Sequence, residues 1–87
     1  MGDRYQRIMS ILTETFSPAL LELVDESQLH RGHHGHTGRD ETHFFVTIAS
    51  GLFSGQSSVA CHRMVNAALK GELDSGLHAL RIVVKRD

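Results

Sequence analysis

The chain has 87 residues, enough for one domain spanning 1–87 and no second core. At this length folding buries about 60–65% of the unfolded surface, and an apolar content of 40% suffices for one modest core. A net charge of −1 and a pI near 6.6 give no basic footprint of the kind nucleic-acid binders carry, although such a mean still permits a local basic patch.

Cys61 is the single cysteine, which excludes an intramolecular disulfide and any metal site built from several of the chain's own thiolates. A lone thiol suits a reducing compartment. The first residues, Met1 to Arg7, carry no apolar run of the secretory type, and no stretch approaches the roughly 20 apolar residues of a membrane span. The expectation is a soluble protein of the cell interior, cytoplasmic or, in a eukaryote, in the mitochondrial matrix. Seven histidines are the outlying feature, and five of them fall between His30 and His43.

The first element reads as a helix. Ile8, Ile11, Leu12 and Phe16 share a face at i, i+3, i+4 and i+8. Asp3 is placed as N-cap, with Gln6 three residues on as in a capping box. Ser17-Pro18 ends the helix, because the residue before a proline is pushed out of the α region. Ala19–Glu26 reads as a short apolar strand. Gln28–Asp40 holds three glycines and four histidines with no apolar period, and reads as a long connector. Thr42–Ser50 alternates most clearly: Phe44, Val46 and Ile48 point one way, His43, Phe45, Thr47 and Ala49 the other. Gly51–Gly55 is a turn carrying Phe53, with room for a helical turn. Ser57–Leu73 reads as a second helix whose apolar stripe is Val65, Ala68, Leu69 and Leu73, extended backwards by Val59 and His62. Asp74-Ser75-Gly76 is a turn. Leu77–Lys85 is a last strand with His78, Leu80, Ile82 and Val84 on one face. The order α-β-β-α-β gives one α+β sheet with its helices on one side.

Three groups of residues could carry chemistry. His30, His33, His34 and His36 sit on the glycine-rich connector, and imidazole is the commonest metal ligand near neutral pH; a solvated loop is the plainer account of them. His78 opens the core-facing row of the last strand, where an aliphatic residue would be ordinary, and a histidine bonded to backbone explains it about as well. Pairing of the strands would bring its end of the sheet near the His30 loop. Cys61 lies near a helix start beside His62, a setting that can activate a thiol; a small core residue is the better account. No nucleophile–base–acid order stands out, so no catalysis is expected.

Taken in order, Leu23-Val-Asp-Glu-Ser27 with His30, Glu41-Thr-His-Phe44, Ser50 with Phe53-Ser-Gly55, His62-Arg63-Met-Val, and His78-Ala-Leu80 resemble the BolA family over nearly the whole chain. The resemblance implies a type II KH-like fold with a three-stranded mixed sheet and helices packed on one face. It also implies a non-catalytic adaptor that forms a heterodimer with a monothiol glutaredoxin and bridges a [2Fe-2S] cluster, in cluster trafficking or iron regulation. In the family the cluster ligands are a His or Cys after the first strand and a His near the start of the last. By position these are His30 and His78, with His33, His34 and His36 as substitutes for His30. With one cysteine here, the thiolates would come from the glutaredoxin and glutathione, and the isolated chain would hold no cluster. Three features depart from the family pattern. Cys61 stands where Arg is usual before His62, the connector has extra histidines, and the sequence given ends straight after the last strand. A nucleic-acid-binding regulator is the second reading, and a homodimer is the other assembly left open. The Gly-x-x-Gly clamp of KH domains is not supported, because Gly51 and Gly55 have the wrong spacing and follow a strand. A mononuclear zinc site in the connector is the third reading.

Overall fold

The apolar period of the N-terminal segment produces a helix, α1 (Asp3–Phe16), that buries Ile8, Leu12 and Phe16. The computed structural model describes residues 2–27 and 42–85, and the expectations placed on Gln28–Asp40 lie outside them. Two differences from the sequence reading occur in α1. Gly2, not Asp3, occupies the N-cap, and its carbonyl accepts from the Gln6 amide at 3.2 Å. Asp3 lies inside the first turn instead, where its charge favours the positive end of the helix. At the other end Ser17 takes a left-handed conformation, φ 43°, before Pro18, and its amide donates to the Thr13 carbonyl at 3.0 Å.

Strand β1 (Leu20–Asp25) pairs antiparallel with β2 (His43–Ala49), which pairs in parallel with β3 (Ala79–Val84). β2 is therefore central, as its alternation requires: Phe44, Val46 and Ile48 are buried. Leu23 from β1 is buried with them, and Leu80, Ile82 and Val84 from β3 pack half-buried against them. A 3₁₀ turn (Gly51–Phe53) drives Phe53 into the core, where its ring meets Phe16 with centroids 5.2 Å apart. Ser50 holds that junction: its hydroxyl donates to the Phe16 carbonyl at 2.7 Å and accepts from the Leu52 amide at 3.1 Å.

The expected single helix over Ser57–Leu73 is two. α2 (Ser58–Ala68) ends at Leu69, which is fully buried, and α3 (Lys70–Asp74) starts after it. Glu72, in α3 after the break, meets the arginines of α1. Arg4 Nε donates to Glu72 Oε1 at 3.0 Å, and Arg7 donates to both oxygens at 2.8 and 2.9 Å. Arg4 also donates to the Ser75 carbonyl at 3.0 Å, beneath Gly76. Gly76 has φ 131°, and a Cβ there would lie 3.0 Å from Arg4 Nη2. The buried stripe of α2 is Cys61 and Val65, followed by Leu69 in the break. Val59, which the sequence reading added to the stripe, is 58% exposed and does not join it.

The helices cover one face of the sheet, as expected. On the other, Leu20, Val24 and Val83 are exposed, and Arg81 stacks over the half-buried Phe45 ring at 4.2 Å while reaching Glu26 at 3.3 Å. No helix among the described residues is long and apolar enough to cross a membrane.

Candidate functional site

The parallel register of β2 and β3 brings His43 opposite Ala79. The backbone tightens there: the amides of His78 and Ala79 both donate to the Thr42 carbonyl, at 2.7 and 3.0 Å. Segment 28–41 leaves and returns at the same end, since Ser27 and Thr42 are bonded across its neck. Ser27 is fully buried, and its hydroxyl oxygen accepts from the Thr42 amide at 2.9 Å and the His43 amide at 3.3 Å. The Ser27 amide donates to Asp25 Oδ1 at 2.9 Å. The buried serine gives these amides an acceptor just past the Glu26 amide's bond to the His43 carbonyl at 2.7 Å.

His78 occupies this end, though not as the sequence reading had it. It is exposed and precedes β3, so the strict alternation that assigned it to the core-facing row does not extend to it. Its ring lies against that of His43, with centroids 5.1 Å apart and planes inclined by 54°. His43 Nδ1 lies 3.0 Å from the Thr42 hydroxyl. The structure thus places two imidazoles side by side beside the origin of the histidine-bearing segment. His30, His33, His34 and His36 lie outside the described residues. His43 is the residue that sequence reasoning missed. Its alternation assigned it only to a face, and its nearness to His78 depends on a pairing across 35 positions of chain.

Cys61 is placed in the core with no exposure, its Sγ directed at the Phe53 carbonyl at 3.9 Å. It can supply no thiolate at the surface without unfolding. Among the described residues no group of three or more His, Cys, Asp or Glu side chains converges. A cleft lined by Ala19, Ser50, Gly51, Ser54, Gly55 and Lys85 lies at the other end of the sheet, with Lys85 the one charged side chain that the described residues place on its wall.

A family model described as BolA-like protein matches residues 12–86. The chain belongs to the BolA-like family. Its fold superposes on the BolA domain of SufE1 from Arabidopsis thaliana with a TM-score of 0.88 at 44% identity, covering 98% of this chain and 93% of that one. It is 50% identical over 72 residues to a Sinorhizobium protein from the region 5′ of cobS, covering 82% of this chain and 77% of its relative. It is 41% identical over 71 residues to the DNA-binding transcriptional regulator BolA of Vibrio cholerae, covering 82% of this chain and 63% of the regulator. The sheet order and helix placement of this BolA-like chain are accordingly those expected from its motifs.

The donor set also bears on a [2Fe-2S] cluster. The described BolA-like frame offers nitrogen donors at one end and keeps its only thiol in the core. Such a set fits a cluster ligated through imidazole on this side and through thiolates from elsewhere.

Proposed function

We propose that this chain is an adaptor that binds a monothiol glutaredoxin and shares a [2Fe-2S] cluster with it, in cluster trafficking or iron regulation. The observation that carries the reading is the exposed His78 imidazole, placed beside His43 at the end of the sheet where segment 28–41 begins and ends. His78 would be one ligand from this chain, and His30, or His33, His34 or His36 in its place, the other. The partner cysteine and glutathione would supply the thiolates. When shared, the cluster supplies iron and sulfide for transfer; this chain's own part is to hold a surface imidazole on a rigid strand end. The compartment follows from the partner: cytoplasm or mitochondrial matrix, where glutathione keeps thiols reduced.

Anaerobic reconstitution tests this. With glutaredoxin, glutathione, iron and sulfide the chain should give a coloured heterodimer, and alone it should stay colourless. Failure of any glutaredoxin to co-elute with it, with or without iron, would sink the reading.

The regulator name of the Vibrio relative supports a second reading, nucleic-acid binding. The net charge of −1 works against it. A duplex-binding signal that falls steeply with added salt is the expected signature, because phosphate contacts release counterions.

A further inference from the structure

We propose that the open face of the sheet is a surface on which a second copy of this chain docks, with β1 of each copy against β3 of the other. The inference does not rest on the adaptor reading.

Three observations carry it. The first is the face itself. Among the described residues no element packs on it, and Leu20 and Val24 on β1 and Val83 on β3 are exposed there. Between them β2 contributes Thr47, a small side chain that lets a facing sheet approach to about 10 Å. The second is the segregation of charge. Alternation puts Glu22 and Glu26 on the β1 side of this face, and Arg81 and Lys85 on the β3 side. Arg81 is already paired with Glu26 at 3.3 Å. Among the described residues neither Glu22 nor Lys85 has an ion-pair partner. The third is register. Glu22 lies level with Thr47, and Thr47 with Val83, so Lys85 is one step of two residues, about 7 Å, further along.

Two identical faces can pack about a two-fold axis that runs either across the strands or along them. An axis across the strands lays β1 on β1 and sets Glu22 against its own copy. An axis along β2 lays β1 of one copy on β3 of the other. Each Glu22 then faces Val83 of the second copy, with the Lys85 ammonium one step away and within reach of a long side chain. The lysine stem covers Leu20 of the opposite copy, and both unpartnered charges are matched twice by symmetry. Charge order therefore selects a second copy and one way of seating it. The strands at their usual spacing span roughly 300–400 Å² per copy, well below the roughly 800 Å² of a tight interface. The dimer is accordingly weak, with a dissociation constant on the order of 0.1 mM.

The full chain, kept reduced at low salt, tests this by sedimentation and by ¹⁵N spectra from about 0.02 to 1 mM. Self-association should appear in that range, with dilution shifts centred on Glu22, Thr47 and Val83, and should weaken as salt is raised. Glu22→Lys and Lys85→Glu should each weaken it about tenfold. An equimolar mixture of the two variants should associate at least as well as the unsubstituted chain, because each then offers the other both opposite charges. A monomer at 1 mM overturns the proposal. So do dilution shifts confined to the helices, or a mixture no better than either variant alone. Contacts from segment 28–41 to Val24 or Val83 within a monomer, or glutaredoxin-induced shifts centred on Thr47, would give the face another occupant and overturn it as well. The dilution shifts of the unsubstituted chain decide the surface even if a variant fails to fold.

Discussion

Glu72 is 8% exposed and lies between two guanidinium groups, one of which, on Arg4, is itself mostly buried. The Arg7 hydrogen bond, with Arg4 behind it, holds the Glu72 carboxyl below the ordinary glutamate range against the opposing effect of burial. A carboxylate with a lowered folded-state pKa stabilises the fold above its unfolded value, near 4.3, and loses that contribution as pH falls below it. Glu72→Gln should therefore cost roughly 2 kcal/mol at neutral pH, because both arginines lose an ionised partner. The gap between variant and parent in urea unfolding should close as pH drops through about 4. A gap that is constant from pH 7 to 3 would mean that the pair contributes shape rather than charge. By contrast the Lys70–Asp74 pair, at 2.8 Å on an open helix surface, is expected to contribute little.

Two elements depend on single short residues. The neck of the β1–β2 hairpin is closed by the buried Ser27 hydroxyl, which accepts from two amides. Ser27→Ala leaves those part-buried N–H groups without that acceptor, and a loss of about 1 kcal/mol follows. The local signature is faster hydrogen exchange at the Thr42 and His43 amides than at Val46; uniform acceleration would place the effect elsewhere. In α3, Gly71 has an ordinary negative-φ backbone, and a Cβ built on it meets nothing within 4 Å. Gly71→Ala should raise stability by about 0.5–1 kcal/mol, because alanine loses less backbone entropy in a helix. A fall in melting temperature would show that the break at Leu69 needs the glycine's freedom.

Across the whole molecule, core and candidate site are separate. The core lies between the helices and one face of the sheet, whereas the imidazole pair sits at the strand ends, with His78 exposed. His78→Ala should therefore change the unfolding free energy by no more than about 0.5 kcal/mol while removing the cluster signature of a glutaredoxin heterodimer. Circular dichroism melts beside visible spectra would show both, and an unfolded variant would deny the separation.

The helix of Ile8, Leu12 and Phe16, the central strand of Phe44, Val46 and Ile48, and the covering of one sheet face follow from local periodicity, which a single sequence carries in full. The family motifs are equally a property of sequence, and they singled out His78. What tertiary structure decided depends on contacts between residues far apart in the chain. The break at Leu69 accompanies the salt bridges of Glu72 to Arg4 and Arg7, 68 and 65 positions away. Ser27 is buried because Thr42 closes the neck across 15 positions. His43 meets His78 because β3 runs parallel to β2, and His78 lies outside the core row because the strand starts at Ala79, two residues later than Leu77. Periodicity specifies which face a side chain takes; only the register of pairing specifies which side chains meet.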